Sequence, residues 1–252
     1  MKLGLQLYTV KEAAEKDYIG TIKKVCEMGY QGIEFPGGTM EKIAAGDLKQ
    51  VLSEQDAELI GIVFEKKDLD ERMEKVLEYC MECACENVVF PWIGEEFRTI
   101  SGYRDFASGM NEWGRILRAR GINFLYHIHG YEFEDLGGTC GMDILTSLLD
   151  ARYVNLEIDV YWVEWGGVDS VQFMREWGRR SPLIHFKDMK DLQSKRDIEV
   201  GDGCIDMRSI AKLGKEYDAR WFIVEQEAFE MPQLESAGIS LQNLKRIVEE
   251  IY

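Results

Sequence analysis

Val154-Asn155-Leu156-Glu157-Ile158-Asp159 alternates apolar and polar residues without a break. In an extended strand, successive side chains point to opposite faces. Val154, Leu156 and Ile158 therefore form one apolar face, and Asn155, Glu157 and Asp159 share the other. Seven more short apolar segments begin near Leu3, Gln31, Leu59, Asn87, Ile122, Pro182 and Trp221. They recur at intervals of roughly 30 residues, the length that a strand, a helix and two loops require. Between them lie amphipathic stripes: Ile19, Ile22, Val25 and Cys26, stopped by Gly29; Leu69, Met73, Val76, Leu77 and Cys80; and Phe106, Met110, Trp113, Ile116 and Leu117, stopped by Gly121. Met142 to Leu149, Val171 to Trp177, Ile210 with Leu213, and Leu241 to Ile251 continue the series, with Asp169 and Asp206 as N-caps. Eight such alternations specify a closed (β/α)8 TIM barrel, one domain over residues 1–252. An open doubly wound sheet would carry a Gly-rich phosphate turn after its first strand. Here that turn reads Leu7-Tyr8-Thr9-Val10-Lys11.

Strand parity also selects the site. In strand five Tyr126 and Ile128 share one face, His127 and His129 the other. In strand seven Ile184 and Phe186 face out, leaving His185 and Lys187 inward. In strand eight Phe222 and Val224 face out while Ile223, Glu225 and Glu227 face in. Glu34 in strand two, and Gln6 and Tyr8 in strand one, also face in. All three histidines of the chain thus gather with several carboxylates at the C-terminal ends of barrel strands, the end where such barrels do their chemistry. Burying this many ionisable groups without a partner is prohibitive. A divalent cation is the simplest partner. Two or three carboxylates with an imidazole and no thiolate suit Mn, Mg or Co, with Zn compatible. Gln6, Tyr8, Glu34 and His129 are candidates for substrate contact, as against rim packing, and Trp162 for the pocket wall.

The composition limits the partners. Hydrophobic residues make up 46% and charged residues 30%, which provides a large core beneath a solvated surface. A net charge of −16 repels phosphate backbones and anionic lipid, which argues against nucleic acid and membrane partners. No apolar run approaches the roughly 20 residues needed to span a bilayer. Met1-Lys2-Leu3-Gly4 enters a strand without a signal-peptide pattern. Cys80, Cys83 and Cys85 cluster without a second pair or a histidine, so they read as packing thiols in a reducing, cytoplasmic protein.

At these motifs the chain resembles the sugar phosphate isomerase/epimerase family, the xylose isomerase-like barrels, over nearly its full length. The resemblance is carried by Leu5-Gln6-Leu7-Tyr8-Thr9-Val10, Gly29 to Phe35, Tyr126 to Phe133, Glu157 to Trp162, His185 to Lys190, Val200-Gly201-Asp202-Gly203 and Ile223-Val224-Glu225-Gln226. It implies one divalent metal held from strands five to eight, typically by Glu, Asp, His and Glu. Those positions map onto Asp159, His185 and Glu225, with Glu132, His127 or His129 from strand five. Two departures stand out: Ile128 replaces the motif's Asn, and Gly130 its Asp.

The implied activity is isomerisation or epimerisation of a keto-sugar or polyol derivative through an enediolate. Glu225 and Glu132 are the acid–base pair, with His127 as the alternative base and Lys187 steadying the oxyanion. The Gly201-Asp202-Gly203 turn is either a backbone contact to substrate or a plain turn. The same apparatus serves a lyase or hydratase acting on 3-keto sugars or glycosides, including C-glycoside cleavage. A non-catalytic barrel subunit is a further alternative. The acidic surface and the few histidines weigh against hydrolysis of DNA, which related endonucleases perform on this barrel. The expected partner is a small carbohydrate, and homo-oligomerisation stays open.

Overall fold

The structure, a computed structural model, describes residues 1–251. Eight strands close into a barrel: β1 Lys2–Gln6, β2 Gly32–Phe35, β3 Glu58–Val63, β4 Asn87–Phe90, β5 Asn123–His127, β6 Val154–Asp159, β7 Leu183–Phe186 and β8 Trp221–Val224. Every neighbouring pair is parallel, and β8 pairs with β1 to complete the ring. Each of the eight apolar segments becomes one of these strands. The main helices are α1 Tyr18–Met28, α2 Ala45–Glu54, α3 Met73–Cys83, α4 Ile100–Arg118, α5 Gly141–Leu148, α6 Ser170–Trp177, α7 Met207–Glu216 and α8 Gln233–Glu250. Asp169 and Asp206 cap α6 and α7 by accepting backbone N–H bonds from Gln172 and Ser209. No described helix is long and apolar enough to cross a membrane.

Three local features differ from the sequence reading. The α2 helix was not singled out, although Leu48, Val51 and Leu52 give it a buried stripe at helical spacing. The Leu69–Cys80 stripe is split at Arg72, whose φ of −130° ends a short helix, Lys66–Glu71, before α3 begins. Ile19 is exposed, so the buried face of α1 rests on Ile22 and Val25.

Two apolar layers hold the barrel. Outward strand residues such as Phe35, Ile158, Phe186 and Val224 pack under the helices. Inside, Ile60, Val89, Leu125, Leu183, Trp221 and Ile223 form a separate plug. At roughly 1.5–3 kcal/mol for each buried side chain, this plug contributes on the order of 10 kcal/mol. His127 and His185 each lie two residues beyond a plug residue on the same strand, and Glu225 follows the end of β8 two residues beyond Ile223, so parity puts them inside the barrel toward its C-terminal mouth. Cys80, Cys83 and Cys85 are buried in the outer layer and unpaired.

After β7 the chain makes a small antiparallel hairpin, Asp188–Met189 against Asp197–Ile198. The Asp188 carboxylate accepts backbone N–H bonds from Met189, Gly201, Gly203 and Ile205. The Gly201–Gly203 turn is therefore wound around Asp188. Two of its N–H groups are already bonded there, which favours the plain turn over a backbone contact to substrate.

Candidate metal and catalytic site

Parallel register places the polar residues side by side. Gln6 lies beside Glu34, His127 beside Glu157, and Asp159 beside His185. His185 Nδ1 is 2.8 Å from Glu225 Oε2, and its Nε2 is 2.8 Å from Glu34 Oε2 and 3.4 Å from Glu157 Oε2. His127 Nδ1 is 2.8 Å from Glu157 Oε2. The two imidazole centroids are 4.7 Å apart. One potential donor atom from each of His127, Asp159, His185 and Glu225 falls within 4.8 Å of the others, a spacing suited to one cation. Glu34, Glu157 and His185 form a second such group.

The side chains fit a divalent cation. Asp159 Oδ1 accepts from the backbone N–H groups of Tyr161 and Trp162 and so caps the Val160–Trp165 helix. Its other oxygen, Oδ2, is buried with no hydrogen-bond partner among the described residues, as are Oε1 of Glu34 and of Glu157. A buried anionic oxygen without a partner is costly, and burial pushes the Asp159 carboxyl up to about 7. A cation among the four donors relieves that cost. We favour this group over the second because it offers four donors rather than three and leaves Glu157 on His127 Nδ1 and Glu34 on His185 Nε2. Carboxylates placed there fix the tautomer and orientation of a ligating histidine.

Burial, with the neighbouring His185 and His129, holds His127 well below the ordinary imidazole range, so its ring is neutral and has a lone pair to offer. His185 is the opposite case. Burial disfavours its charge, but Glu157, Glu34 and Glu225 together hold it well above that range. Cation binding at His185 would therefore displace a proton.

Several expected site residues lie elsewhere. Glu132 falls past β5 in a single 3-10 turn. Its carboxylate accepts from the Tyr126 hydroxyl and the His129 N–H, and burial raises it to about 7. It lies outside the four-donor group, and His127 stands in its place as the strand-five member. Glu34 was expected at substrate but is sealed behind His185, where Gln6 Nε2 donates to it over 2.7 Å. Gln6 Oε1 accepts from the Tyr8 N–H. Tyr8 itself is 40% exposed at the rim. His129 packs against Tyr131 and Trp162, and burial depresses it to about 3. His129 Nδ1 and Trp162 Nε1 are buried with no hydrogen-bond partner among the described residues.

Lys187 is fully buried. Its Nζ donates to Glu227 over 2.8 Å and lies 4.5 Å from the ring centroids of both Tyr161 and Trp162. Burial opposes its charge, but Glu225 and Asp159 hold it above the ordinary lysine range. Glu157 is the residue to which the sequence reading gave no role, although the same alternation had turned it inward. Gly130 departs from the motif for a steric reason. A Cβ there would lie 2.4 Å from the Trp165 ring, so an Asp has no room.

The Xylose isomerase-like TIM barrel family profile matches residues 22–247. The chain belongs to this family. Among curated relatives, the inosose dehydratase of Geobacillus kaustophilus (strain HTA426) is 25% identical over 254 aligned residues, 86% of this chain and 79% of its own length. A sugar phosphate isomerase/epimerase from Parabacteroides distasonis ATCC 8503 superposes with a TM-score of 0.84 at 22% identity, covering 97% of this chain and 93% of that one. A structure of IOLI protein with a binding zinc atom gives a TM-score of 0.77 at 16% identity, covering 100% and 99%. At such identities the structural likeness establishes the xylose isomerase-like fold.

Proposed function

We propose that this family member is a divalent-metal-dependent isomerase or epimerase acting at the carbon beside the carbonyl of a keto-sugar or keto-polyol. The observation that carries the reading is the buried four-donor group of His127, Asp159, His185 and Glu225 beside the Lys187 ammonium. These four residues would hold the cation. When bound, it would polarise the substrate carbonyl and make the neighbouring C–H more acidic.

The chain's own groups divide the remaining work. Asp159 and His185 are sealed at 0% and 1% exposure, whereas His127 and Glu225 reach 7% and 8%. Glu225 keeps a second carboxylate oxygen when the other holds the cation, so it can take the α-proton and return it, while His127, with its lone pair given to the cation, acts as a ligand only. Lys187 supplies positive charge near the developing oxyanion. The unpartnered nitrogens of His129 and Trp162 are available to substrate hydroxyls. Glu132 holds the end of β5 through His129 and takes no proton-transfer role in this scheme.

A dehydratase is the second reading, favoured by the relative named inosose dehydratase. There the same base removes the α-proton, and the neighbouring hydroxyl leaves as water after protonation. The test is to incubate metal-loaded protein with a panel of keto-sugars and keto-polyols and analyse products by NMR and mass. An isomer of unchanged mass supports the first reading, and a product lighter by one water supports the second. No conversion of any of them overturns both.

A further inference from the structure

Lys187 is 1% exposed, yet the one hydrogen-bond acceptor of its ammonium among the described residues is a side chain open to solvent. Glu227 Oε1 accepts from Lys187 Nζ over 2.8 Å, and the Glu227 side chain is 40% exposed. An ammonium has three N–H groups to place. This one stands beside the four-donor group. It follows His185 by two residues, and the charges of Glu225 and Asp159 both bear on it. Trp162, whose N–H bonds Asp159 Oδ1, has its ring centroid 4.5 Å from Nζ.

Among the neighbours of Nζ, Glu227 is the exposed one. Tyr161 is buried, with its ring centroid 4.5 Å from Nζ and its hydroxyl donating to the Lys195 carbonyl. Asp197 Oδ2 lies 3.9 Å from Nζ, and the Asp197 side chain is 7% exposed. The same oxygen accepts from the backbone N–H groups of Glu227 and Ala228. Asp197 thus fixes the Glu227 backbone, while the Glu227 carboxylate is free to swing outward. When it does, Asp197 and the two rings remain around the ammonium.

From this we infer that Glu227 is a positioning residue that reserves Lys187 for an anionic oxygen of the substrate. The inference rests on the keto-sugar reading above and adds the stage at which the lysine acts. A carboxylate adds the attraction of opposite charge to its hydrogen bond with an ammonium, and a neutral hydroxyl or carbonyl oxygen lacks that attraction. Such an oxygen does not displace Glu227, so Lys187 adds little to the binding of unreacted substrate. Removal of the α-proton by Glu225 leaves the C–H electron pair on the carbonyl oxygen, which then carries negative charge. That oxygen can take Nζ from Glu227, whose carboxylate passes into water. A contact made only as this charge develops raises turnover without tightening the substrate.

Calorimetric titration of the Mn-loaded protein with hydroxyacetone and acetohydroxamate, at one pH, tests the assignment. The probes share one skeleton, but the first stays neutral and the second chelates a cation as an anion. Glu227→Ala frees Lys187 for a neutral oxygen, so this variant should bind hydroxyacetone about threefold to tenfold tighter than the parent. A purely structural role for Glu227 would instead weaken both probes. Lys187→Met in the parent should weaken acetohydroxamate several-fold and leave hydroxyacetone unchanged. In the Lys187→Met background, Glu227→Ala should have no effect on hydroxyacetone. Should Lys187→Met not fold, the Glu227→Ala titration decides alone. Hydroxyacetone bound equally or more weakly by Glu227→Ala, or weakened by Lys187→Met as much as acetohydroxamate is, would overturn the inference. If the parent binds neither probe, the inference falls together with the keto-sugar reading. If the parent binds both and the shifts are absent, the inference alone falls. The shifts without proton exchange on any keto-sugar would uphold the role of Glu227 and count against the catalytic reading alone.

Discussion

Changing Asp159 to Asn should stabilise the metal-free protein while weakening its hold on a cation. Asp159 is fully buried, with Oδ1 bonded to two backbone N–H groups and Oδ2 without a hydrogen-bond partner among the described residues. Burial raises its carboxyl from the ordinary 3.8 to about 7. The folded state thus keeps the proton longer than the unfolded state does. The stability contributed by the protonated acid is fully present below about pH 4 and is lost as pH rises through about 7. A difference of about 3 units corresponds to ~4 kcal/mol by pH 8. Asn keeps the Oδ1 cap and carries no charge, while its orphaned amide costs about 1–3 kcal/mol. Chelator-treated Asp159→Asn at pH 8 should therefore be more stable than the parent by about 1–3 kcal/mol, a rise of several degrees in Tm. With Mn present the order should narrow or reverse, because losing an anionic ligand weakens affinity by about 10- to 100-fold or more. Scanning fluorimetry with and without metal, and calorimetric titration with Mn, read both arms. A variant that binds Mn as tightly as the parent, or that is less stable than the parent without metal at pH 8, would refute the reasoning.

Two further substitutions probe the surroundings. Glu157→Gln leaves all four donors in place but alters the group behind His127 Nδ1, so Mn affinity should fall by about 10-fold or more with the fold intact, as measured by calorimetry and circular dichroism. Glu132, raised by burial to about 7, likewise contributes stability that is lost between about pH 4.5 and 7. Glu132→Gln should remove up to about 3 kcal/mol of that decline in urea unfolding at pH 5 and pH 8, with Mn affinity unchanged.

The barrel was legible because each strand carries its own signal. Parity in Val154–Asp159 and Leu183–Phe186 gives the inward face, and the spacing of segments gives eight of them. The α2 helix escaped because Gly46, Asp47, Lys49 and Gln50 dilute a stripe of only three large apolar residues. At the site, parity brought His127, Asp159, His185 and Glu225 inward correctly. It could not rank them, because depth depends on register between strands distant in sequence. Glu34 reaches His185 across 151 positions, a contact that no local pattern encodes. Glu132 has the chemistry of a ligand, but the turn after β5 directs its carboxylate to Tyr126. The reason for Gly130 lies in Trp165, a residue 35 positions later.

The most direct test of the central claim is proton NMR of keto-sugars in D₂O with the metal-loaded protein. The account predicts loss of the signal from the proton beside the carbonyl, dependent on the cation and abolished by chelation. His127→Ala should lose both the metal and the exchange. Lys187→Ala should keep the metal and slow exchange by roughly 10²- to 10⁴-fold. If the metal-loaded parent exchanges no proton on any keto-sugar, whether bare, phosphorylated or 3-keto, the account is contradicted.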